Sequence, residues 1–399
     1  MLGGRLLNKY FKFSALFFVL FLLNYYALYS LFPDSSDFPV VEHRFEQFSA
    51  RNRCESANSQ IPVIVFACRR SQAIREHIRK LLKYRPDVNR FPIYVSQECD
   101  NHGVTSEIEK FRGSVSFTKF RSDWRVGRYQ KPYLRQYYKI ARHYKLGLDW
   151  IFENSCHEFV IITEDDLDIS PDFFSYFSAT LPLLQKDTSL WCVSAWNDNG
   201  QVENIDLGAH SLLHRSDYFG GLGWMTTRKI WEELSRTWPE AYWDDWMRGS
   251  SIRKGRQCIR PEISRSGMTK HGFKGASHGK FYRSFTSKVH MFGGNVNFSE
   301  QNLEYLEPKR YKKSFLKEVQ KAQEIKMEVF ELQRDAQIKK SSNTIKIFYN
   351  TSNFNKTARH LGIMGDIIGG IPRTAYQNVV TIFKNGVRIY LVPFDYNFE

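Results

Sequence analysis

The 399-residue chain has only six cysteines, and no two of them are spaced as CxxC. That excludes the usual zinc frameworks built on such pairs. No GxxxxGK[ST] segment occurs, so there is no P-loop. Internal repeats are lacking, which removes solenoids and propellers. Acidic residues are scarce relative to basic ones, 42 against 57, and the formal charge is +15. Such an excess suits nucleic acid, anionic lipid or a phosphorylated substrate, and the compartment selects among them.

One long apolar run is present, Phe13 to Leu31. As a helix it spans about 30 Å, the hydrocarbon core of a bilayer. Arg5, Lys9 and Lys12 precede it and Asp34 and Asp37 follow, so positive-inside bias keeps 1–12 cytosolic and exports the rest. A cleaved signal peptide is the rival reading, but Tyr and Phe crowd the position where small cleavage-site residues belong. Export removes nucleic acid as a partner. It makes disulfides the natural use of Cys54, Cys68, Cys99, Cys156, Cys192 and Cys258. Sequons at Asn297, Asn350 and Asn355 fit the same route.

Residues 32–60 read as a polar stem. Beyond it, apolar runs alternate with helical spacing. Strands are expected at Ile61–Cys68, Phe91–Gln97, from Phe159, and at Leu190–Trp196. Helices are expected at Ser71–Tyr84, Thr105–Phe111, Tyr133–Phe152 and from Pro171. Alternation of this kind predicts an α/β fold with a mostly parallel sheet covered on both faces. After about residue 300 the texture changes. Glu304–Lys340 reads as a solvated Lys/Glu-rich helix, and Thr344–Phe348 and Val379–Val392 as strands, the latter folded at Lys384–Gly386. A smaller α+β subdomain over 301–399 follows a main domain over 61–300.

Three acids, Glu164, Asp165 and Asp166, follow the run Phe159–Ile162. They fall at the C-terminal end of a buried strand, the edge where open α/β sheets bind ligands. Ser170, Pro171 and Asp172 already supply an N-cap, a first position and a first-turn acid for the next helix, so capping leaves the triplet unexplained. A metal or polyol site and a solvated acidic turn are the two readings. A second cluster, "WPEAYWDDWM", sets Asp244 and Asp245 between Trp243 and Trp246. It reads as a carboxylate base in a sugar-shaped aromatic pocket, or as an aromatic-packed helix start with Asp as cap. "KHGFKGASHGKFY", Lys270 to Tyr282, is a basic glycine-containing loop whose His271 and His278 lack acidic neighbours in sequence. "GGLGW", Gly220–Trp224, allows close ligand approach or a tight turn.

Taken together, "ITEDDLDISPDFFSYF", "LWCVSAWNDNG", "GLGW", "WPEAYWDDWM", "CIRPEISR" and "SHGKFY" resemble the N-acetylglucosaminyltransferase I family. The resemblance extends from Ile61 to the "GIMGD…GIPRTAY" segment. It implies a GT-A domain, a type II Golgi membrane enzyme with a lumenal catalytic part, Mn2+, and inverting transfer of GlcNAc from UDP-GlcNAc. The acceptor it implies is the α-1,3 mannose of a five-mannose N-glycan on a glycoprotein. Asp166 would be the metal ligand, with Glu164 and Asp165 on GlcNAc and ribose hydroxyls and Asp244 as general base. Arg70 would meet the diphosphate, Glu98 and His143 the uridine, and Ser277 would lie in a loop that orders over the donor. Cys68 would pair with Cys99 and Cys192 with Cys258, leaving Cys54 and Cys156 free or paired together. Two positions depart from the family pattern: Arg69 and Glu98 both stand where the family has Asp. Rival readings are GlcNAc transfer to protein O-linked mannose, against which the short stem argues, and a silent membrane-anchored glycan-binding protein, against which both intact acidic clusters argue.

Overall fold

The computed structural model describes residues 60–121, 134–332 and 344–398. The expected tail and anchor, and the stem up to residue 59, lie outside the described residues. No helix among the described residues is long and apolar enough to cross a membrane.

An eight-stranded mixed sheet carries the site. Its strands are β1 (Val63–Ala67), β2 (Ile93–Gln97), β3 (Ser116–Lys119), β4 (Phe159–Glu164), β6 (Leu190–Ser194), β7 (Leu213–Ser216), β8 (Trp224–Thr227) and β9 (Gln257–Pro261), in the order β3-β2-β1-β4-β8-β6-β9-β7. All run one way except β8 and β7, which pair antiparallel with their neighbours. A two-stranded ribbon, β5 (Leu167–Ile169) with β10 (Ser266–Met268), lies just beyond β4. The mostly parallel sheet is the one the alternation predicts.

Alternate residues of the central strands feed two different cores. Val63, Val65 and Ile161 join one, with Ile74, Ile78 and Leu81 of α1 (Ser71–Tyr84). Ile64, Phe66, Val160 and Ile162 join the other, with Tyr144, Leu148 and Ile151 on the long helix Arg135–Glu153. Helix α2 (His102–Glu109), capped by the Asn101 side chain, precedes that long helix, which is therefore α3. Helices cover both faces, and this is why these strands are apolar without a two-residue rhythm.

Helix α4 (Phe173–Lys186) begins later than its sequence signals suggest. Asp172 is not a first-turn acid. Its Oδ1 accepts from the Ser170 hydroxyl at 2.5 Å and its Oδ2 from Arg265 Nε at 3.1 Å, so a buried ion pair claims it instead. The region after residue 300 also departs from expectation. In place of one helix there is a 3-10 turn at Glu304–Leu306, a helix Pro308–Lys321, a short strand β11 (Gln323–Glu324) and a helix Met327–Leu332. Ala322, extended at ψ 135° and buried, ends the helix there, and Ile325 is buried two residues after the helix-breaking strand begins. β12 (Thr344–Tyr349) and the hairpin Val380–Lys384 with Val387–Pro393 complete a second sheet, its turn held by left-handed Asn385 and Gly386. That sheet has its own core around Ile345, Ile382 and Ile389. Tyr376 and Tyr390 also reach the main core.

Among the described residues four histidines are buried neutral. Burial pushes His77, His157 and His214 down to about 4 and His143 to about 3. Burial opposes ionisation of Glu262, yet the hydrogen bond from His214 Nε2 at 2.7 Å, with Arg388 at 2.8 Å on its other oxygen, holds that carboxyl well below the usual range. An unfolded histidine titrates near ~6.5. Between that value and about 4 the unfolded chain binds more protons at each such site, so these sites lose stability as pH falls. His157→Gln should therefore show a smaller drop in melting temperature between pH 7.5 and 4.5 than the wild type. Buried carboxylates with raised pKa act the opposite way, and comparison with the variant cancels them. An equal drop in both proteins would contradict a neutral buried His157.

Candidate active site

The acidic triplet lies where β4 ends and turns into β5. Backbone bonds hold the turn from two sides. The Asp165 N–H donates to the Phe66 carbonyl at 3.0 Å, and the Thr269 N–H and hydroxyl donate to the Asp166 carbonyl at 2.9 and 2.8 Å. A third support comes from α1. The His77 Nδ1–H donates to the Leu167 carbonyl at 2.7 Å, which leaves Nε2 to accept from the Thr163 hydroxyl at 2.9 Å. One imidazole thus joins the residues immediately before and after the triplet. In sequence it shows only as a polar residue on the apolar face of α1.

Arg70, at the start of α1, lies across the carboxylates. Its Nε donates to Asp165 at 3.0 Å and its Nη1 to Asp166 at 2.5 Å, with Nη2 also on Asp165. Burial opposes its charge, but Asp166 and then Asp165 hold the guanidinium protonated. Burial pushes Asp165 up to about 6 despite Arg70. Burial first, and the Asp166 charge second, push Glu164 up to about 7, while a 2.7 Å bond from the Tyr144 hydroxyl stabilises its anion. The Asp165 Oδ2 atom is buried without a partner.

The tryptophan-rich cluster forms the helix Trp243–Arg248, preceded by a short helix Arg228–Leu234. Trp243 is buried in a stack between Tyr144 (4.3 Å), Trp238 (5.7 Å) and Trp224 (6.0 Å). The start of this helix is aromatic-packed, but neither Asp is its cap. Both Asp244 and Asp245 accept from Arg248 Nη1, at 2.8 and 2.7 Å. Asp244 keeps 44% of its side chain exposed while Arg248 keeps 8%. Tyr144 connects the two acidic clusters. It bonds Glu164 and stacks on Trp243, and after burial the fields of Glu164, Asp166 and Asp244 hold its hydroxyl protonated.

Glu98 follows β2 on the same sheet edge. It is buried and paired with Arg142, and burial raises its pKa against that cation. His143 lies on α3, with Nε2 at 2.8 Å from the Ser96 hydroxyl and its ring edge-on to Phe66 at 4.9 Å. A disulfide joins Cys68 to Cys99 across the ends of β1 and β2, and another joins Cys192 to Cys258 on β6 and β9. Cys156 is disulfide-bonded too, and Cys54 lies outside the described residues. Arg69 is exposed to solvent. Ser277 lies in the basic loop, where its carbonyl accepts from the Lys280 N–H at 3.1 Å, and no contact of its side chain with the triplet is seen. His271 does have an acidic neighbour, contrary to its sequence surroundings: Glu76 of α1 lies 3.0 Å from its Nε2. Gly223 of GGLGW takes φ +83°, a conformation that favours glycine, and leads directly into β8.

A third segment, invisible to local pattern, closes over the Asp244 helix. Arg373 bonds Asp198 at 2.7 Å and Asp366 at 2.8 Å, and Asn199 meets Thr374 and the Met364 N–H. Gly369, at φ +59°, passes so close to Arg248 that an added Cβ would lie 2.1 Å from its carbonyl oxygen.

The arrangement fits a hard cation at the triplet. Asp165 Oδ2 is an orphan acceptor, and a cationic group already bridges Asp165 and Asp166. No three His, Cys, Asp or Glu side chains converge on one point among the described residues. An ion there would need oxygens from a substrate to complete its shell, as Mg2+ and similar ions do with phosphates.

Gly369→Ala should strain the backbone and push on Arg248 together. We expect a loss of more than about 1 kcal/mol in unfolding free energy. A melting curve identical to wild type would mean that the segment does not press on the Asp244 helix.

Residues 41–398 match the profile of the GNT-I family. The α-1,3-mannosyl-glycoprotein 2-β-N-acetylglucosaminyltransferase of Arabidopsis thaliana is 36% identical over 337 residues, 84% of this chain and 74% of that one. Among solved structures, a mannosyltransferase of Pyrobaculum calidifontis in complex with GDP-Man and Mn2+ aligns at 17% identity and TM-score 0.35, covering 51% of this chain and 55% of that one. S. aureus TarS 1–349 aligns at 13% and TM-score 0.39, covering 53% of this chain and 61% of that one. This chain thus spans little more than half of either structure, and likenesses so partial carry no argument. The sequence matches do: the chain belongs to the GNT-I family.

Proposed function

We propose that this protein moves GlcNAc from UDP-GlcNAc to the α-1,3-linked mannose of a five-mannose N-glycan, in β-1,2 linkage and with inversion. The observation that carries the reading is Tyr144, which ties a buried carboxylate triplet to a half-exposed aspartate through one aromatic stack. Family membership and the Arabidopsis relative support the substrate pair.

In this reading the chain's own groups divide the work. Glu98 and His143 receive the uridine, Arg70 turns from the acids to the diphosphate, and Glu164 and Asp165 hold sugar and ribose hydroxyls. Asp166 would hold a divalent cation, taken as Mn2+, which when bound supplies positive charge to offset that of the departing diphosphate. The acceptor hydroxyl attacks the anomeric carbon from the face opposite UDP. A new C–O bond forms, the sugar–phosphate bond breaks with its electron pair leaving on UDP, and the proton passes to Asp244. A carboxylate is a weak base. It suffices when proton transfer is late and the anomeric carbon is already cationic, by the opposed-face logic of inverting glycosidases. The loop carrying Ser277 closes over the donor, excluding water. We place the protein in the Golgi membrane by the apolar segment 13–31, with its catalytic part lumenal. Exposed Asn297, Asn350 and Asn355 are available to glycosylation there, and a mobility shift on endoglycosidase treatment tests that placement.

Asp244→Asn should lower turnover at least ~100-fold, the scale of general base catalysis, while UDP still binds. Turnover unchanged from wild type would remove Asp244 as the base. His77→Leu should raise the half-saturating Mn2+ concentration about 10- to 100-fold, as loss of support behind a ligand does. Equal metal dependence in His77→Leu and wild type would reduce His77 to a packing residue.

A further inference from the structure

The sugar-stacking role read from the sequence for the tryptophans of WDDW does not suit Trp243, which is 6% exposed and stacked on three other rings. The residue before it differs. Tyr242 is 37% exposed and sits in the left-handed region at φ 52°, ψ 43°. That conformation is costly for a bulky side chain. Helix capping does not repay it, because Tyr242 makes no side-chain cap bond to the helix that follows. Its ring instead stacks on Tyr137 of α3, with centroids 4.5 Å apart and planes 23° apart.

The location is informative. Tyr137 precedes Tyr144 by seven residues, two turns of α3, so both project from one face about 10 Å apart. Tyr144 marks the donor end, where it bonds Glu164. Tyr137 marks the other end, where its hydroxyl is raised by burial and then by Tyr242, Asp244 and Asp245. The stacked pair therefore lies about two helix turns along α3 from Tyr144, a spacing of about two sugar rings, with Tyr242 two residues before Asp244 in the chain.

We propose that Tyr242, seated on Tyr137, is a platform for the acceptor glycan, stacking on a pyranose beyond the mannose that accepts at Asp244. The inference rests on Asp244 as the base. The backbone strain at Tyr242 aims the ring across the mouth of the site, where an exposed aromatic face meets the C–H face of a sugar. Tyr242 thereby favours extended mannose-terminated glycans over single mannosides.

The test compares Tyr242→Gly, which keeps the left-handed backbone but deletes the ring, with Tyr242→Trp, which keeps a ring. KM is measured for five-mannose glycan, methyl α-mannoside and UDP-GlcNAc, and glycan binding is followed by calorimetry. The Gly variant should raise KM and Kd for the glycan about three- to tenfold, the loss of one stacking contact. It should leave the UDP-GlcNAc KM and the methyl mannoside rate at wild-type values, and Trp should recover glycan affinity. Unchanged glycan KM and Kd in the Gly variant would overturn the platform, as would a parallel rise for the single mannoside. If Asp244→Asn instead turns over at the wild-type rate, it is the assignment of the base that fails, independently of the ring.

Discussion

Three carboxylates share the end of one buried strand, and the rest of the site depends on how their repulsion is met. Asp165 and Asp166 are nearly inaccessible, so solvent does not screen them. Arg70 answers the charge directly. The Tyr144 hydroxyl, the Thr269 bonds and the His77 ring fix the geometry that Arg70 neutralises. In the reaction proposed above, the guanidinium between the acids gives way to the phosphates and ion of the substrate, so that protein charge is replaced by ligand charge.

The two acidic clusters are built on opposite principles. The triplet is largely buried, with Glu164 and Asp165 resisting ionisation through desolvation. Asp244 is half-exposed, held by a buried arginine, and anchored through the adjacent Trp243. This contrast suits the proposed division of labour between holding charged oxygens and taking a proton from an incoming hydroxyl. The Asp366–Arg373 segment packs behind Arg248, so the orientation of Asp244 depends on residues more than a hundred positions away in the chain.

Polar strands account for much of what local pattern missed. β7 reads Leu-His-Arg-Ser, yet all four residues are buried. Arg215 is satisfied by Asp187, Gln257 and the Leu306 carbonyl, and His214 by Glu262. No period-two or apolar signal exists there, because hydrogen bonds from distant segments replace hydrophobic burial. The same holds for His77 and for Asp172, expected as a first-turn acid but paired instead with distant Arg265. The acidic neighbour of His271 was hidden for the same reason, since Glu76 lies almost two hundred residues earlier.

What the sequence determined by itself is whatever short-range physics can enforce. Apolar runs such as Phe159–Ile162 specify strands buried on both faces, the spacing of Ile74, Ile78 and Leu81 specifies α1, and Asn385–Gly386 specifies a hairpin. The same runs place the acids Glu164 to Asp166 at the C-terminal edge of the sheet. Only the tertiary structure decided which distant charges meet: Arg70 with Asp165 and Asp166, Arg265 with Asp172, and the Asp366–Arg373 segment with Asp198 and against Arg248. Packing direction along the chain fixes position, but charge pairing and aromatic stacking across the fold depend on contacts that no local window contains.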